Sequence, residues 1–205
     1  MTVQGFFTYK YKKNEHSYAC SQVPNVDIAF RELFEKSSPS RILEIGTFHG
    51  GTTALMRDLL DELNLHSSII KSFDVHEQPW FKNLRSKNLE IIIDNIFTHS
   101  YLDISKPEAI ENFIQSSGTT VVFCDGGSKI NEFKIISKFL KPNDIIMAHD
   151  YTDTLENFNK NFKNKIWDWR EIGDEHITST CEEQNLKPFL KSTMDKFALA
   201  CFKKH

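Results

Sequence analysis

The sequence has no excess of basic charge and no long apolar run. Its 205 residues include 25 Lys and Arg against 28 Asp and Glu, a formal net charge of −3. Proteins that bind nucleic acids usually present an excess of basic charge to the phosphates, so no nucleic-acid partner is expected. No apolar run approaches the roughly 20 residues that a membrane-spanning helix needs, so no membrane partner is expected either.

Cysteine is scarce, and its positions do not match the common zinc motifs. The four cysteines lie far apart, at positions 20, 124, 181 and 201, and no pair has the C-x-x-C spacing. The first residues, MTVQGFFTYKYKK, lack the apolar segment of a signal peptide. Scattered cysteines suit a reducing compartment, so a cytoplasmic location is expected.

Strand and helix patterns alternate along most of the chain. The predicted helices cover residues 25–36, 52–65, a segment that starts at 105, and 130–140. The predicted strands cover residues 41–46, 69–75, 89–97, 119–124 and 145–148, and residues 98–102 either continue the third strand or form another. These strands are continuously apolar, which indicates that both faces of a parallel sheet are buried. After Tyr151 the pattern changes, and residues 167–172 and 197–202 are predicted to form an antiparallel hairpin at the sheet edge.

The fold class predicted from this order is α/β, a Rossmann-like three-layer sandwich with a mostly parallel sheet. The sequence contains no internal repeat and no low-complexity linker, so one domain over residues 1–205 is predicted. Residues 1–24 precede the first predicted helix as an extension. The sequence leaves open whether this extension covers the site as a lid or packs against a second copy in a homodimer.

Polar side chains occur at the ends of the predicted strands. Glu44 lies near the end of the first strand and Asp74 near the end of the second, Asp125 follows the fourth, and His149 and Asp150 follow the fifth. In an open parallel sheet, ligands bind beyond the carboxyl ends of the strands. Acidic groups gathered at one edge repel each other, so they indicate a site for cationic or hydroxyl-rich parts of a ligand.

A glycine-rich turn, EIGTFHGGTT, leads from the first strand into a helix. It has neither the G-x-G-x-x-G of a dinucleotide site nor the G-K-[ST] of a P-loop. Gly46 lets the chain turn sharply, and Gly50 and Gly51 let backbone approach a ligand closely.

The groups around this turn suit the two ends of one ligand. The amides at the helix start, with Thr52 and Thr53, can hold a small carboxylate, and Glu44 can meet an ammonium group. Asp74 suits a ribose diol, because a carboxylate accepts two hydroxyl donors. A ligand with an amino acid at one end and a nucleoside at the other therefore matches the pattern.

These motifs resemble those of class I S-adenosylmethionine-dependent methyltransferases. The E-x-G-x-x-x-G from Glu44 to Gly50 matches their first motif, Asp74 falls at their ribose-binding acid, and Asp103 falls near their adenine-side acid. The pairing of EIGTFHGGTT with FCDGG and LKPNDIIMAHDY is similar to the macrocin O-methyltransferase and cephalosporin-hydroxylase type of small-molecule and sugar O-methyltransferases. The resemblance implies S-adenosylmethionine as cofactor, held by Glu44, Gly46, Thr47, Gly50, Gly51, Thr52, Asp74, Val75, Asp103 and Asp125.

The resemblance also implies an acceptor side at the fourth and fifth strands, with Asp125, His149 and Asp150 as candidate catalytic residues. In these relatives, acids at such positions often hold a divalent cation that binds acceptor oxygens. Asp125 and Asp150 are therefore the candidate ligands of Mg²⁺. The sequence departs from the family pattern, because Ser128 and Lys129 follow Asp125-Gly-Gly in place of the histidine of D-G-x-H. Dependence on Mg²⁺ stays open, and without a metal Asp125 or His149 is the candidate general base.

The reaction expected from the resemblance is methyl transfer to a hydroxyl of a small-molecule or sugar acceptor. Two alternatives remain open from the sequence. One is a non-methylating enzyme on the same scaffold, hydroxylase-like or acting on the cofactor itself. The other is a non-catalytic module that binds adenosyl ligands or a partner. Simpler roles also remain for single residues: Asp125 and Asp103 as helix caps, and His149 as a hydrogen-bonded core residue.

Overall fold

The computed structural model describes residues 6–98 and 103–205. The strands in this part of the chain are β1 (Phe7–Lys10), β2 (Ser17–Cys20), β3 (Arg41–Ile45), β4 (Ile69–Asp74), β5 (Leu89–Ile93), β6 (Thr120–Cys124), β7 (Ile145–Ala148), β8 (Leu186–Pro188) and β9 (Ala200–Lys204). The helices are α1 (Asp27–Ser37), α2 (Gly51–Glu62), α3 (Phe81–Leu84), α4 (Pro107–Gln115), α5 (Lys129–Ile136), α6 (Leu155–Asn157), α7 (Asp174–Glu183) and α8 (Lys191–Met194). Short 3₁₀ turns at Ser137–Phe139 and Asp195–Phe197 and a π-helical turn at Phe158–Phe162 extend three of these helices.

Seven strands form one sheet in the order β5-β4-β3-β6-β7-β9-β8. The five strands from β5 to β7 are parallel, β9 is antiparallel to β7, and β8 is antiparallel to β9. The predicted α/β architecture, with its mostly parallel sheet and antiparallel C-terminal hairpin, is therefore confirmed. The strand order reverses direction between β3 and β6, which is the point where open α/β sheets bind ligands.

Both faces of the sheet are covered, so the molecule has three layers. Successive residues of a strand point to opposite faces, and Ile42 and Leu43 of β3 accordingly belong to two separate apolar clusters. The cluster of Ile42 includes the apolar sides of α1 and α2, and the cluster of Leu43 includes those of α4, α5 and α7. This double burial explains why the parallel strands read as continuous apolar runs.

The N-terminal part of the chain forms a separate hairpin of β1 and β2. It packs on α2, where the Tyr9 hydroxyl donates to Asp58 Oδ2 at 2.8 Å and the Lys12 backbone N–H donates to the same oxygen at 2.9 Å. Residues 6–23 thus lie against the helix that follows the glycine turn.

Of the two predicted hairpin strands, the second overlaps β9 (Ala200–Lys204), and the first is wrong. Residues 167–172 form a loop that touches the end of β7 through one bridge, between Tyr151 and Ile172, and the strand that pairs with β9 is β8. The helix α7, which lies between this loop and β8, was missed. Only Ile177, Thr180 and Cys181 of its ten residues are buried. Such a narrow apolar stripe in a polar segment gives little helical periodicity.

The third parallel strand is shorter than predicted. Residues 89–97 were expected to be one strand, but β5 ends at Ile93, opposite the last residue of β4, Asp74. The backbone N–H of Asp94 still donates to the Asp74 carbonyl at 3.0 Å, and regular pairing stops there because β4 has ended. Most of the strand considered for residues 98–102 lies outside the described residues, since 99–102 are not among them.

Candidate functional site

A cavity of about 590 Å³ opens at the carboxyl ends of β3, β4, β6 and β7. Seven of the ten residues expected from the resemblance to contact a cofactor line it, and so do the three candidate catalytic residues. The lining residues from these two predicted sets are Gly46, Thr47, Gly51, Thr52, Asp74, Val75, Asp125, His149 and Asp150. In the part of the chain that the structure describes, the cavity lining does not include Glu44, Gly50 or Asp103.

Gly46 is required by the close approach of two loops. Its φ is +91°, and a Cβ atom there would lie 2.3 Å from the carbonyl oxygen of Asp125. A side chain at this position would therefore be strained in its own backbone and would push away the loop after β6. The glycine keeps the loops after β3 and β6 in contact across the switch point.

Gly50 and Gly51 make room for neighbouring protein atoms. A Cβ on Gly51 would lie 2.3 Å from the Ala19 carbonyl oxygen in β2, and one on Gly50 would lie 2.4 Å from Leu84 Cδ1. The expectation that these glycines bring backbone close to a ligand therefore needs a correction for Gly50, which is off the cavity. Gly51 lines the cavity and also lets the N-terminal hairpin sit on the start of α2.

Glu44 is fully buried beneath the turn. The hydroxyls of Thr53 and Ser72 both donate to its Oε2 at 2.6 Å, while its Oε1 has no partner in the described chain. Burial raises the pKa of this carboxyl to about 8, against those two hydroxyl contacts. Ser72 Oγ also lies 2.6 Å from Thr47 Oγ1, so Glu44 is linked to a residue of the cavity wall through Ser72. Its position at the back of the turn does not offer a direct contact to an ammonium group.

Asp74 faces the cavity at the end of β4 and organises the turn opposite. The backbone N–H of Phe48, whose φ is +50°, donates to Asp74 Oδ2 at 2.7 Å. The N–H of His76 donates to Oδ1 at 2.9 Å. Each carboxylate oxygen keeps a second acceptor position, so the side chain can still receive two hydroxyl groups. Val75, the next residue, is 51% exposed on the same wall.

The acid beyond the third parallel strand is Asp94 rather than Asp103. Asp94 and Asn95 follow β5 directly and line the cavity. Asp103 is exposed, and its Oδ1 accepts the N–H of Ile104. The predicted strand over residues 89–97 placed Asp94 in its interior, whereas β5 ends at Ile93. The Asp-Asn pair after an apolar β-branched run is the signal that identifies the correct strand end.

The other half of the cavity is built around the ammonium group of Lys129. This group lies 3.1 Å from Asp150 Oδ2, 3.1 Å from Glu171 Oε2 and 3.9 Å from Asp125 Oδ1. It also donates to the Gly126 carbonyl at 3.1 Å. Burial opposes the charge, but the three carboxylates together raise the pKa of Lys129 above its ordinary value. The cluster therefore contains a permanent cation.

His149 is buried beside this cluster and is held through one ring nitrogen. Its Nδ1 lies 3.1 Å from Asp125 Oδ1, and its ring packs on Trp167 with centroids 4.8 Å apart. Burial would lower the pKa of His149, but Asp150 and Asp125 outweigh it and raise the value. The other nitrogen, Nε2, is buried and has no partner in the described chain. His149 lines the cavity, so this unpartnered nitrogen is the candidate atom for a contact with a ligand.

The two aspartates of the cluster have different environments. Burial raises the pKa of Asp125 in spite of its contact with His149. Burial acts in the same direction on Asp150, but there His149 and Lys129 outweigh it and lower the pKa. Trp167 adds to this by donating its Nε1–H to Asp150 Oδ1 at 2.6 Å. Asp150 is therefore the more firmly ionised of the pair.

Residues that are distant in the sequence complete this half of the cavity. Gln22, fully buried, donates from Nε2 to Asp125 Oδ2 at 2.7 Å, and nothing in the N-terminal sequence marks it. Trp167, Trp169 and Glu171 reach the cavity because their loop runs across the end of β7, held by the N–H groups of residues 171 and 172 on the Asp150 carbonyl.

No group of three or more His, Cys, Asp or Glu side chains in residues 6–98 and 103–205 is arranged to hold a metal ion. No helix in the same ranges is long and apolar enough to cross a membrane.

Solved structures share this fold. The chain matches the apo structure of CmcI-N160 with a TM-score of 0.61 at 12% identity, covering 88% of this chain and 71% of that one. It matches CmcI-N160 with SAH at a TM-score of 0.55 and 11% identity, covering 88% and 77%. A Staphylococcus aureus protein proposed to be a caffeoyl-CoA O-methyltransferase matches at 0.52 and 15% identity, covering 89% and 86%. No protein-family model and no curated protein matches the chain. At these identities the likeness establishes the shared Rossmann-like fold alone.

Proposed function

We propose that this chain binds S-adenosylmethionine in the cavity and transfers its methyl group to a hydroxyl of a small-molecule or sugar acceptor. The observation that carries the proposal is the meeting of two different half-sites in one cavity. One half has the glycine turn and the acids Asp74 and Asp94, and the other has Asp125, His149 and Asp150. The CmcI-N160 structure with SAH, the demethylated form of the cofactor, supports the same ligand for this fold.

The first half would hold the cofactor along the loops after β3 and β4. Asp74 would accept the two ribose hydroxyls, since both of its oxygens have an acceptor position left. Gly46, Thr47 and the start of α2 at Gly51 and Thr52 would surround the methionine end. Glu44 would act through Ser72 and Thr47 as a support beneath the turn.

The second half would bind the acceptor and remove its proton. The cofactor supplies an electrophilic methyl group on a sulfonium ion, and the protein aligns the acceptor oxygen with it. His149 Nε2 would take the hydroxyl proton as the new O–CH₃ bond forms and the S–CH₃ bond breaks, which leaves S-adenosylhomocysteine. Asp125 Oδ1 would hold Nδ1 and orient the ring. The acceptor would lie against Trp167 and the 59% exposed Trp169, flat surfaces that suit a sugar or an aromatic ring.

Calorimetry with Asp74→Asn tests the cofactor assignment. S-adenosylmethionine and S-adenosylhomocysteine should each bind wild-type protein with a micromolar Kd. Asp74→Asn should weaken both by about tenfold or more, because it replaces one hydroxyl-accepting oxygen with an amide donor. Asp103→Asn is the matched control, since it changes an exposed aspartate off the cavity and should leave both affinities unchanged.

The possible results separate the proposal from its rivals. Absence of binding of either ligand to the folded wild-type protein would overturn the proposal. An equal loss of affinity in Asp74→Asn and in Asp103→Asn would show that the cofactor does not lie along β4 as assigned. With binding established, mass analysis of acceptor mixtures distinguishes methylation from a reaction on the cofactor itself.

A further inference from the structure

The acceptor half of the cavity combines three carboxylates with a cation that belongs to the chain. Asp125, Asp150 and Glu171 come from the ends of β6 and β7 and from the loop that crosses β7. Lys129, the first residue of α5, is only 7% exposed and sends its ammonium group between them. The Lys129 backbone N–H also donates to Glu171 Oε1 at 2.8 Å, so both ends of this residue bind the same carboxylate.

Every oxygen of these carboxylates already has a protein donor. Those of Asp125 face His149 Nδ1 at 3.1 Å and Gln22 Nε2 at 2.7 Å. Those of Asp150 face Trp167 Nε1 at 2.6 Å and Lys129 Nζ at 3.1 Å.

Glu171 completes the set, because its two oxygens face the backbone N–H and the Nζ of Lys129 at 2.8 and 3.1 Å. Mg²⁺ demands close octahedral oxygen ligands. Binding it here would require breaking several of these contacts and placing a divalent charge against the buried ammonium of Lys129. The donor set therefore does not fit a resident divalent cation.

We propose that the ammonium group of Lys129 takes the place of a divalent cation in this site, so that the site works without a metal. The claim that methyl transfer needs no metal rests on the proposed function. The claim that the site does not bind a divalent cation is independent of it. The three Nζ hydrogens are matched by three close acceptors: Asp150 Oδ2, Glu171 Oε2 and the Gly126 carbonyl. Lys129 is therefore a positioning residue: it neutralises Asp150 and Glu171, fixes the strand ends, and leaves contact with the acceptor hydroxyl to His149 Nε2.

Titration with Mn²⁺, an oxygen-seeking probe for the Mg²⁺ site, tests the binding claim without any substrate. Wild-type protein should bind Mn²⁺ no more tightly than about 1 mM. Lys129→Ala removes the ammonium and exposes carboxylate oxygens to one another, so its affinity for Mn²⁺ should rise by about tenfold or more. Lys191→Ala is the control, because it removes an ammonium group that lies 3.0 Å from Asp195 and away from the cavity, and it should gain no affinity.

Thermal melting gives a second measurement if the repelling carboxylates destabilise the variant. Mn²⁺ should raise the Tm of Lys129→Met, which keeps an unbranched side chain without charge, and leave the Tm of the wild type unchanged. Wild-type binding of Mn²⁺ at micromolar Kd that is lost in Asp125→Asn would overturn the inference, whatever the variants do. Unchanged affinity in a folded Lys129→Ala protein would also overturn it.

Methylation assays then test the catalytic consequence. With the acceptor found by screening, activity should withstand excess EDTA, and added Mg²⁺ should not increase it. Activity abolished by EDTA and restored by Mg²⁺ would contradict the inference while leaving the proposed function intact. Failure of cofactor binding would instead remove the proposed function and leave the Mn²⁺ result to stand.

Discussion

Replacing Glu44 with Gln should change how the stability of the protein depends on pH. Glu44 is fully buried, with two hydroxyl donors on one oxygen and no partner on the other. Burial raises the pKa of its carboxyl from the ordinary 4.5 to about 8. The folded protein therefore keeps a proton on Glu44 at pH values where the unfolded chain has lost it.

The sign and size of the effect follow from this difference. The free energy of unfolding rises with pH only where the unfolded state binds more protons, and here the folded state binds more. The contribution of Glu44 is fully present below pH 4.5 and is lost as the pH rises through 8. At about 1.4 kcal/mol for each pKa unit, the whole loss is at most about 5 kcal/mol, with water entry into the site reducing it.

Urea unfolding of the wild type and of Glu44→Gln, measured from pH 5 to pH 9, isolates this contribution. The amide of the variant does not titrate. The free energy of unfolding of the wild type minus that of the variant should therefore fall across the range, by about 2 kcal/mol or more. Glu183→Gln, at an exposed position on α7, should show a constant difference. A constant difference for Glu44→Gln as well would refute the raised pKa and with it the view of Glu44 as a buried support.

Two further predictions concern the turn and the proton acceptor. Gly51→Ala should destabilise the protein by about 1–3 kcal/mol in urea unfolding, because its Cβ would lie 2.3 Å from the Ala19 carbonyl oxygen, and wild-type stability would contradict this packing. His149→Gln should lower kcat by about 10²-fold or more while leaving the Kd for S-adenosylmethionine unchanged, because it removes the proton acceptor but no cofactor contact. In the wild type kcat should rise with pH through a pKa above 6.5, because Asp150 and Asp125 raise the pKa of His149. If the His149→Gln variant kept this rise, His149 would be excluded as the base.

The parallel half of the fold could be predicted from sequence because its signals are local. Strands with both faces buried read as apolar runs, and β3, β4, β6 and β7 lie within one residue of their predicted bounds. Their polar ends identified Asp74, Asp125, His149 and Asp150, all of which the structure places on the cavity. Strand ends in a parallel sheet converge, so a correct strand assignment was enough to bring these residues together.

The contacts that join distant segments at the site could not be predicted from local sequence patterns. Gln22 reaches Asp125, which lies 103 positions later, only because the N-terminal hairpin packs on α2. Glu171 and Trp167 reach the site because their loop crosses the end of β7, a path that local periodicity does not encode. Asp94 was placed inside the predicted strand over residues 89–97, because an apolar run does not show where its partner strand stops.

The measurement that tests the central claim most directly is a crystal structure of the protein with S-adenosylhomocysteine. The account predicts the ribose hydroxyls on Asp74, the homocysteine end beside Gly46 and Thr52, and the sulfur pointing toward His149 and Lys129. The same crystals grown with Mg²⁺ should show the Lys129 ammonium still between the carboxylates. A ligand bound elsewhere, or lying in the reverse direction in the cavity, would contradict the assignment of the two halves.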